Sequence, residues 1–204
     1  MKKLFVALFI LLMTATAASA AMIGFVTPTD PGTVWSYNSN DGYSSGRGMA
    51  FQMLSNVTID SLGIYQDLTG VNLHVEIAQT LGASGQVTNG ETIIYSNSMS
   101  VSTNGLEFID FSFAPITLLA GNYYHFQFSF DAASNQNFFF SQSDNDTFTL
   151  GAFDLINGTQ AGYTSNYVLP YMRVNEVTSA PEPASMLLLG LGLVGIAGFR
   201  KRMK

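Results

Sequence analysis

Tyr124, Phe126, Phe128 and Phe130 alternate with Tyr123, His125, Gln127 and Ser129. That period of two fits an extended strand, in which successive side chains point to opposite faces. Val71, Leu73, Val75 and Ile77 repeat the pattern against Asn72, His74, Glu76 and Ala78. Val57 and Ile59 precede Leu62 and Ile64, with a phase slip near Ser61 that reads as a bulge. Further strands are predicted at Met49–Leu54, Glu91–Val101, Leu106–Phe113, Asn137–Ser141, Thr147–Phe153 and Tyr167–Val174, with weaker ones at Ile23–Val26 and Val34–Tyr37. Asp41-Gly42, Gly82 to Gly85, Asn89-Gly90, Asn104-Gly105, Gly121-Asn122 and Asn157-Gly158 supply turns between them. No amphipathic helix stands out between residues 21 and 180. Eight to ten short antiparallel strands over that span predict an all-β fold, an antiparallel β-sandwich of jelly-roll type.

The chain has no cysteine, so disulfides, thiolate metal sites and cysteine nucleophiles are excluded. The core must come from apolar burial, and the 13 phenylalanines of residues 21–180 provide it. Charge is unevenly placed. Residues 21–180 hold 13 acids against Arg47 and Arg173, a balance of −11, whereas the other cations lie in the two tails. A body with two cations cannot neutralise a row of phosphates, which excludes nucleic acid as a partner.

The tails read as membrane signals. Lys2 and Lys3 precede the apolar run Leu4–Met13, and small residues end at Ala18-Ser19-Ala20. This is the order of a cleavable signal peptide over residues 1–20, with signal peptidase cutting between Ala20 and Ala21. Residues 184–199 form a second apolar run, which carries no charge and stops at Arg200-Lys201-Arg202. As a transmembrane helix of about 24 Å it would be slightly short for a bilayer core, and the basic residues of the 200–204 tail would snorkel to make up the difference. Those cations stay cytoplasmic and leave the body on the far side of the membrane. Pro181-Glu182-Pro183, just before this run, holds an extended backbone of the kind a protease accepts.

Pro181, Glu182 and Pro183, the short apolar segment and the Arg200–Arg202 cluster together resemble the PEP-CTERM sorting signal over residues 181–204. The resemblance implies processing by an exosortase, a membrane-embedded transpeptidase-like enzyme of Gram-negative bacteria. It also implies inner-membrane anchoring in transit and final placement at the cell surface or in the extracellular matrix. The runs VTIDSLGIY, VNLHVEI and IDFSFAPITLLAGNYYHFQFSF are similar to the jelly-roll domains often found on such proteins, with Pro115, Leu118, Ala120, Gly121 and Tyr124 matching their corner. That second resemblance carries no catalytic set.

Candidate chemistry in the body is sparse. His74 and Glu76 share one strand face and could meet a metal or substrate, although the alternation reads as a solvated outer face, and His125 takes a similar polar-side position. A Ser-His-Asp triad has no local signature here, and scattered acids give no carboxylate spacing for glycoside hydrolysis, so the chain is read as a non-enzyme. Asp144, Asn145 and Asp146 in a loop could coordinate Ca2+ but lack the EF-hand order, and a polar turn is the plainer reading. Trp35, Tyr37 and Tyr43 lie in a Ser/Asn/Gly-rich stretch and could stack on sugar rings, or could pack onto the core. The expectation is an exported structural or adhesive module; a carbohydrate-binding module for exopolysaccharide is the alternative.

Overall fold

A computed structural model describes residues 20–28, 33–37, 47–82, 91–132, 134–142, 147–160, 163–165 and 169–177. The described elements are strands: β1 (Ala20–Gly24), β2 (Thr33–Tyr37), β3 (Arg47–Met53), β4 (Val57–Gln66), β5 (Thr69–Thr80), β6 (Thr92–Ser102), β7 (Glu107–Leu118), β8 (Tyr123–Asp131), β9 (Gln136–Ser141), β10 (Thr149–Leu150), β11 (Phe153–Gln160), β12 (Tyr163–Ser165), β13 (Leu169–Pro170) and β14 (Met172–Val177). They build a four-stranded sheet in the order β1-β14-β4-β7 and a seven-stranded sheet in the order β10-β11-β3-β8-β5-β6, to which β12 adds beside β11. A three-stranded sheet runs β13-β9-β2. The connections β3–β4, β4–β5, β6–β7 and β7–β8 each pass from one of the two larger sheets to the other, which makes the all-β sandwich jelly-roll-like rather than a meander. Residues 21–176 form one compact unit.

The alternation of β5 and β8 becomes packing. Val71, Leu73, Val75 and Ile77 on β5 and Phe126 and Phe128 on β8 are buried, and across the sandwich Phe111 of β7 sits 6.0 Å from Phe128. Phe25 packs 4.6 Å from Phe51, 5.0 Å from Phe153 and 6.3 Å from Phe126, while Phe51 lies 5.2 Å from Phe126. Burying each such ring is worth about 1.5–3 kcal/mol, so this aromatic centre does the work that disulfides do in small exported domains.

The phase slip near Ser61 is a bulge. β14 pairs Asn175 with Ser61 and then Glu176 with Ile59, leaving Asp60 over; Asn175 Nδ2 donates to Asp60 Oδ1 at 2.7 Å. The corner before β8 also forms. Gly121 takes φ +79°, and the buried Tyr124 accepts the Leu119 N–H at its hydroxyl at 2.9 Å, a tyrosine corner.

Some boundaries differ from expectation. Thr147–Phe153 is a hairpin rather than one strand: Gly151 at φ +59° turns the chain between β10 and β11, pairing Leu150 with Phe153. Asn157-Gly158 lies inside β11, because pairing with β3 from Met53 to Arg47 outweighs local turn preference and leaves only a bulge beside Asn157. The strand expected at Tyr167–Val174 breaks at Tyr171, where β13 ends in one sheet and β14 begins in another. The strand begun near Leu106 runs on to Leu118, carrying Pro115 within a bulge between Ser112 and Ile116.

Candidate functional site

The faces turned away from the core carry the polar chemistry, and each of the two larger sheets has a bridge over a glycine of an inner strand. On the four-stranded sheet, Gly63 of β4 lies between Asp110 of β7 and Arg173 of β14. Arg173 Nε donates to Asp110 Oδ1 at 2.9 Å and its Nη2 donates to Oδ2, while the guanidinium stacks 3.9 Å from the Phe108 ring centroid. A Cβ on Gly63 would come within 2.1 Å of Asp110 Oδ1, so the missing side chain is what lets the pair close. A depression of about 360 Å³ beside it is lined by Met22, Asp60, Ser61, Asp110, Ser112, Phe113 and Asn175. Both of its carboxylates already have partners, Asn175 and Arg173.

The seven-stranded sheet repeats the device with a neutral pair. His125 of β8 reaches over Gly48 of β3 to bring Nε2 within 2.6 Å of Thr159 Oγ1 on β11. A Cβ on Gly48 would lie 2.9 Å from that imidazole nitrogen and 2.0 Å from the Phe126 carbonyl oxygen. His125 is therefore placed on the outer side of its strand, as its alternation predicts, but it is 1% exposed rather than solvated. Burial pushes its pKa down to about 3, so the ring stays neutral near pH 7.

Further along the same face, His74 Nε2 sits 3.2 Å from Asp131 Oδ2 and 3.3 Å from Asn72 Nδ2. Asn72 and Asp131 also line a depression of about 510 Å³ with Gly70, Val71, Ser100, Val101 and Ser102. The partner of His74 is thus Asp131 and not Glu76, the residue that its sequence neighbourhood suggests. Glu76 acts on Glu91, the residue just before β6: burial and then the Glu76 charge push the Glu91 carboxyl up to about 7, and burial alone raises Glu76. Glu91 Oε1 is buried without a hydrogen-bond partner among the described residues. Sequence reasoning missed this pair because residues fifteen apart become neighbours only through the β5–β6 pairing. It also missed Arg47, which is 1% exposed with its guanidinium 5.9 Å from the Phe138 ring centroid. Its place in the apolar half of the β3 alternation was the signal. No group of three or more His, Asp or Glu side chains that could hold a metal occurs among the described residues.

The remaining sequence candidates scatter. Trp35 and Tyr37 lie on β2, opposite Phe138 and Gln136 of β9. Ala20 and Ala21 open β1. Ala18, Tyr43, Asp144, Asn145 and Asp146 lie outside the described residues, as do Pro181, Glu182, Pro183, Arg200, Lys201 and Arg202 and the apolar run 184–199.

The C-terminal residues are decided by comparison. Residues 179–202 match the family model of the PEP-CTERM protein-sorting motif. The chain carries a PEP-CTERM sorting motif. It is accordingly an exported protein that transits the membrane and is sorted by an exosortase, with an all-β body ahead of the PEP-CTERM segment. No curated protein matches the chain. Among solved structures, a chain of "Structure of infectious bursal disease virus Gt strain" is similar at 10% identity and a TM-score of 0.24, over 81% of this chain. This chain spans 37% of that viral chain's length.

Proposed function

We propose that this chain is a non-enzymatic structural or adhesive module, delivered by signal peptidase and exosortase processing to the cell surface or extracellular matrix of a Gram-negative bacterium. The observation that carries the reading is the PEP-CTERM motif at residues 179–202, directly after a sandwich built around an aromatic core. His125 is buried away from any substrate, and with its pKa pushed down to about 3 it is a weak base, while the acids Asp60 and Asp110 are held by partners. The test is deletion of residues 181–204 with cell fractionation and surface labelling. The truncated protein is expected to lose surface placement; unchanged surface display would overturn the reading.

A second reading, binding of exopolysaccharide, is favoured by the depression beside His74. Ser100, Ser102, Asn72 and Asp131 offer hydroxyl, amide and carboxylate groups suited to sugar hydroxyls. Asp131→Ala is expected to weaken retention of the protein by isolated exopolysaccharide by about tenfold, on the scale of one charge-assisted hydrogen bond. Equal retention of the variant and the parent would remove this reading.

A further inference from the structure

Strand β6 closes one end of the seven-stranded sheet, and among the described residues no strand pairs with its far edge. An open strand edge displays unpaired N–H and C=O groups, and proteins ordinarily blunt it by shortness, proline, charge or a bulge. The other sheet ends show those devices. β10, β12 and β13 have two or three residues, β1 and β2 have five, and β7 carries Pro115 inside its bulge and Glu107 at its start. β6 runs for eleven residues, TIIYSNSMSVS, with no proline and no charged side chain; its bulge, at Ile94, lies near its start and leaves Tyr95–Val101 in unbroken register with β5. Most of it is exposed, including Ile93 at 56%.

The geometry points to a second copy of this chain as the occupant: we propose that two β6 strands pair antiparallel, edge to edge, about a two-fold axis at Asn97. Charge selects the partner. Residues 21–180 carry −11, so two bodies repel through most of their surface, and a two-fold contact sets one strip of the surface against the same strip of its mate. Only an uncharged strip tolerates that, and β6 is one. The orientation of the edge is fixed by a local bond: the Ser98 N–H donates to Asn97 Oδ1 at 2.8 Å, so it does not donate to β5 and is available to the open side. Overlap centred on the unbroken stretch then sets Tyr95 against Met99, Ser96 against Ser98 and Asn97 against Asn97, the last as a non-hydrogen-bonded pair with Cα atoms about 4.5 Å apart. Pairing exchanges the Asn97–Ser98 bond for inter-chain ladder bonds, and the cap acts as a latch that keeps the lone chain from pairing indiscriminately.

The chain contains no cysteine, which makes the test direct. Asn97→Cys in the full-length protein, expressed in an exporting bacterium, places two thiols within disulfide reach in an oxidising compartment. A disulfide-linked dimer on non-reducing gels is expected for Asn97→Cys and not for Thr117→Cys, an exposed position on β7. Adding Ser98→Pro, which removes an edge-facing N–H, should lower the cross-linked fraction at least fivefold. Absence of the Asn97→Cys dimer, equal cross-linking at Thr117→Cys, or undiminished cross-linking in a folded Ser98→Pro variant would overturn the proposal. Should Ser98→Pro fail to fold, the contrast between positions 97 and 117 decides alone.

Discussion

Gly48 and Gly63 are each overlain by a side-chain bridge, yet they should respond differently to the same change. An alanine at position 48 meets the Phe126 carbonyl at 2.0 Å, a backbone atom in the centre of a ladder that can move only with its strand. An alanine at position 63 meets the end of the Asp110 side chain, which can rotate away at the loss of its bond to Arg173. Gly48→Ala is therefore expected to cost about 3 kcal/mol or more, on the scale of an overpacked core. Gly63→Ala should cost about 1 kcal/mol, the scale of a partly exposed ion pair. Urea denaturation midpoints of the two variants check this; equal losses would mean that the bridges do not set the difference.

At the scale of elements, Gln66 joins two sheets. Its side chain is fully buried at the end of β4, donates from Nε2 to the Phe139 carbonyl at 2.8 Å and accepts the Phe139 N–H at Oε1 at 2.9 Å. An amide side chain thus imitates one rung of strand pairing with β9. Gln66→Leu would strand both Phe139 groups away from water, and a loss of about 2–4 kcal/mol is expected from two unsatisfied buried groups. Amide exchange of Phe139 should accelerate in step, and an unaltered exchange rate would show that the rung is not needed.

How far these elements could be read in advance follows from where their information lies. β5 and β8 were legible because one face is apolar and the other polar, and the Asp60 bulge was legible because that rhythm stumbles beside Ser61. Asn157-Gly158 misled because its conformation is set by β3, a partner about a hundred residues away in sequence. The sorting motif was legible in full, since its recognition depends on a local string. The Glu76–Glu91 pair and the His125–Thr159 bridge were not, because distance between strands decides them.

For the molecule as a whole, two raised carboxyls, Glu91 and Glu76, oppose one lowered imidazole, His125. Glu91 has its pKa raised from 4.5 to about 7, so its contribution to stability is complete below pH 4.5 and is lost as pH rises through 7. His125 is lowered from 6.5 to about 3, so its contribution is complete above pH 6.5 and is lost as pH falls toward 3. Between pH 4.5 and 6.5 the two carboxyls and the imidazole have slopes of opposite sign, so stability should rise little or not at all with pH. Glu91→Gln leaves only Glu76 against His125 and is expected to turn the profile upward with pH relative to the parent across that window, measured as urea midpoints in a pH series. A profile unchanged from the parent's would show that Glu91 does not titrate as described.

The strand that leads toward the sorting motif is β14, and it is not at a margin: β1 lies on one flank and β4 on the other. Through Arg173 it also grips Asp110 on β7, the strand beyond β4. A pull applied to the chain beyond Val177 would therefore enter the body through a strand clasped on both sides. To peel it off, rungs on two ladders and an ionic clasp must give way, so such a pull meets more resistance than it would at an outermost ribbon.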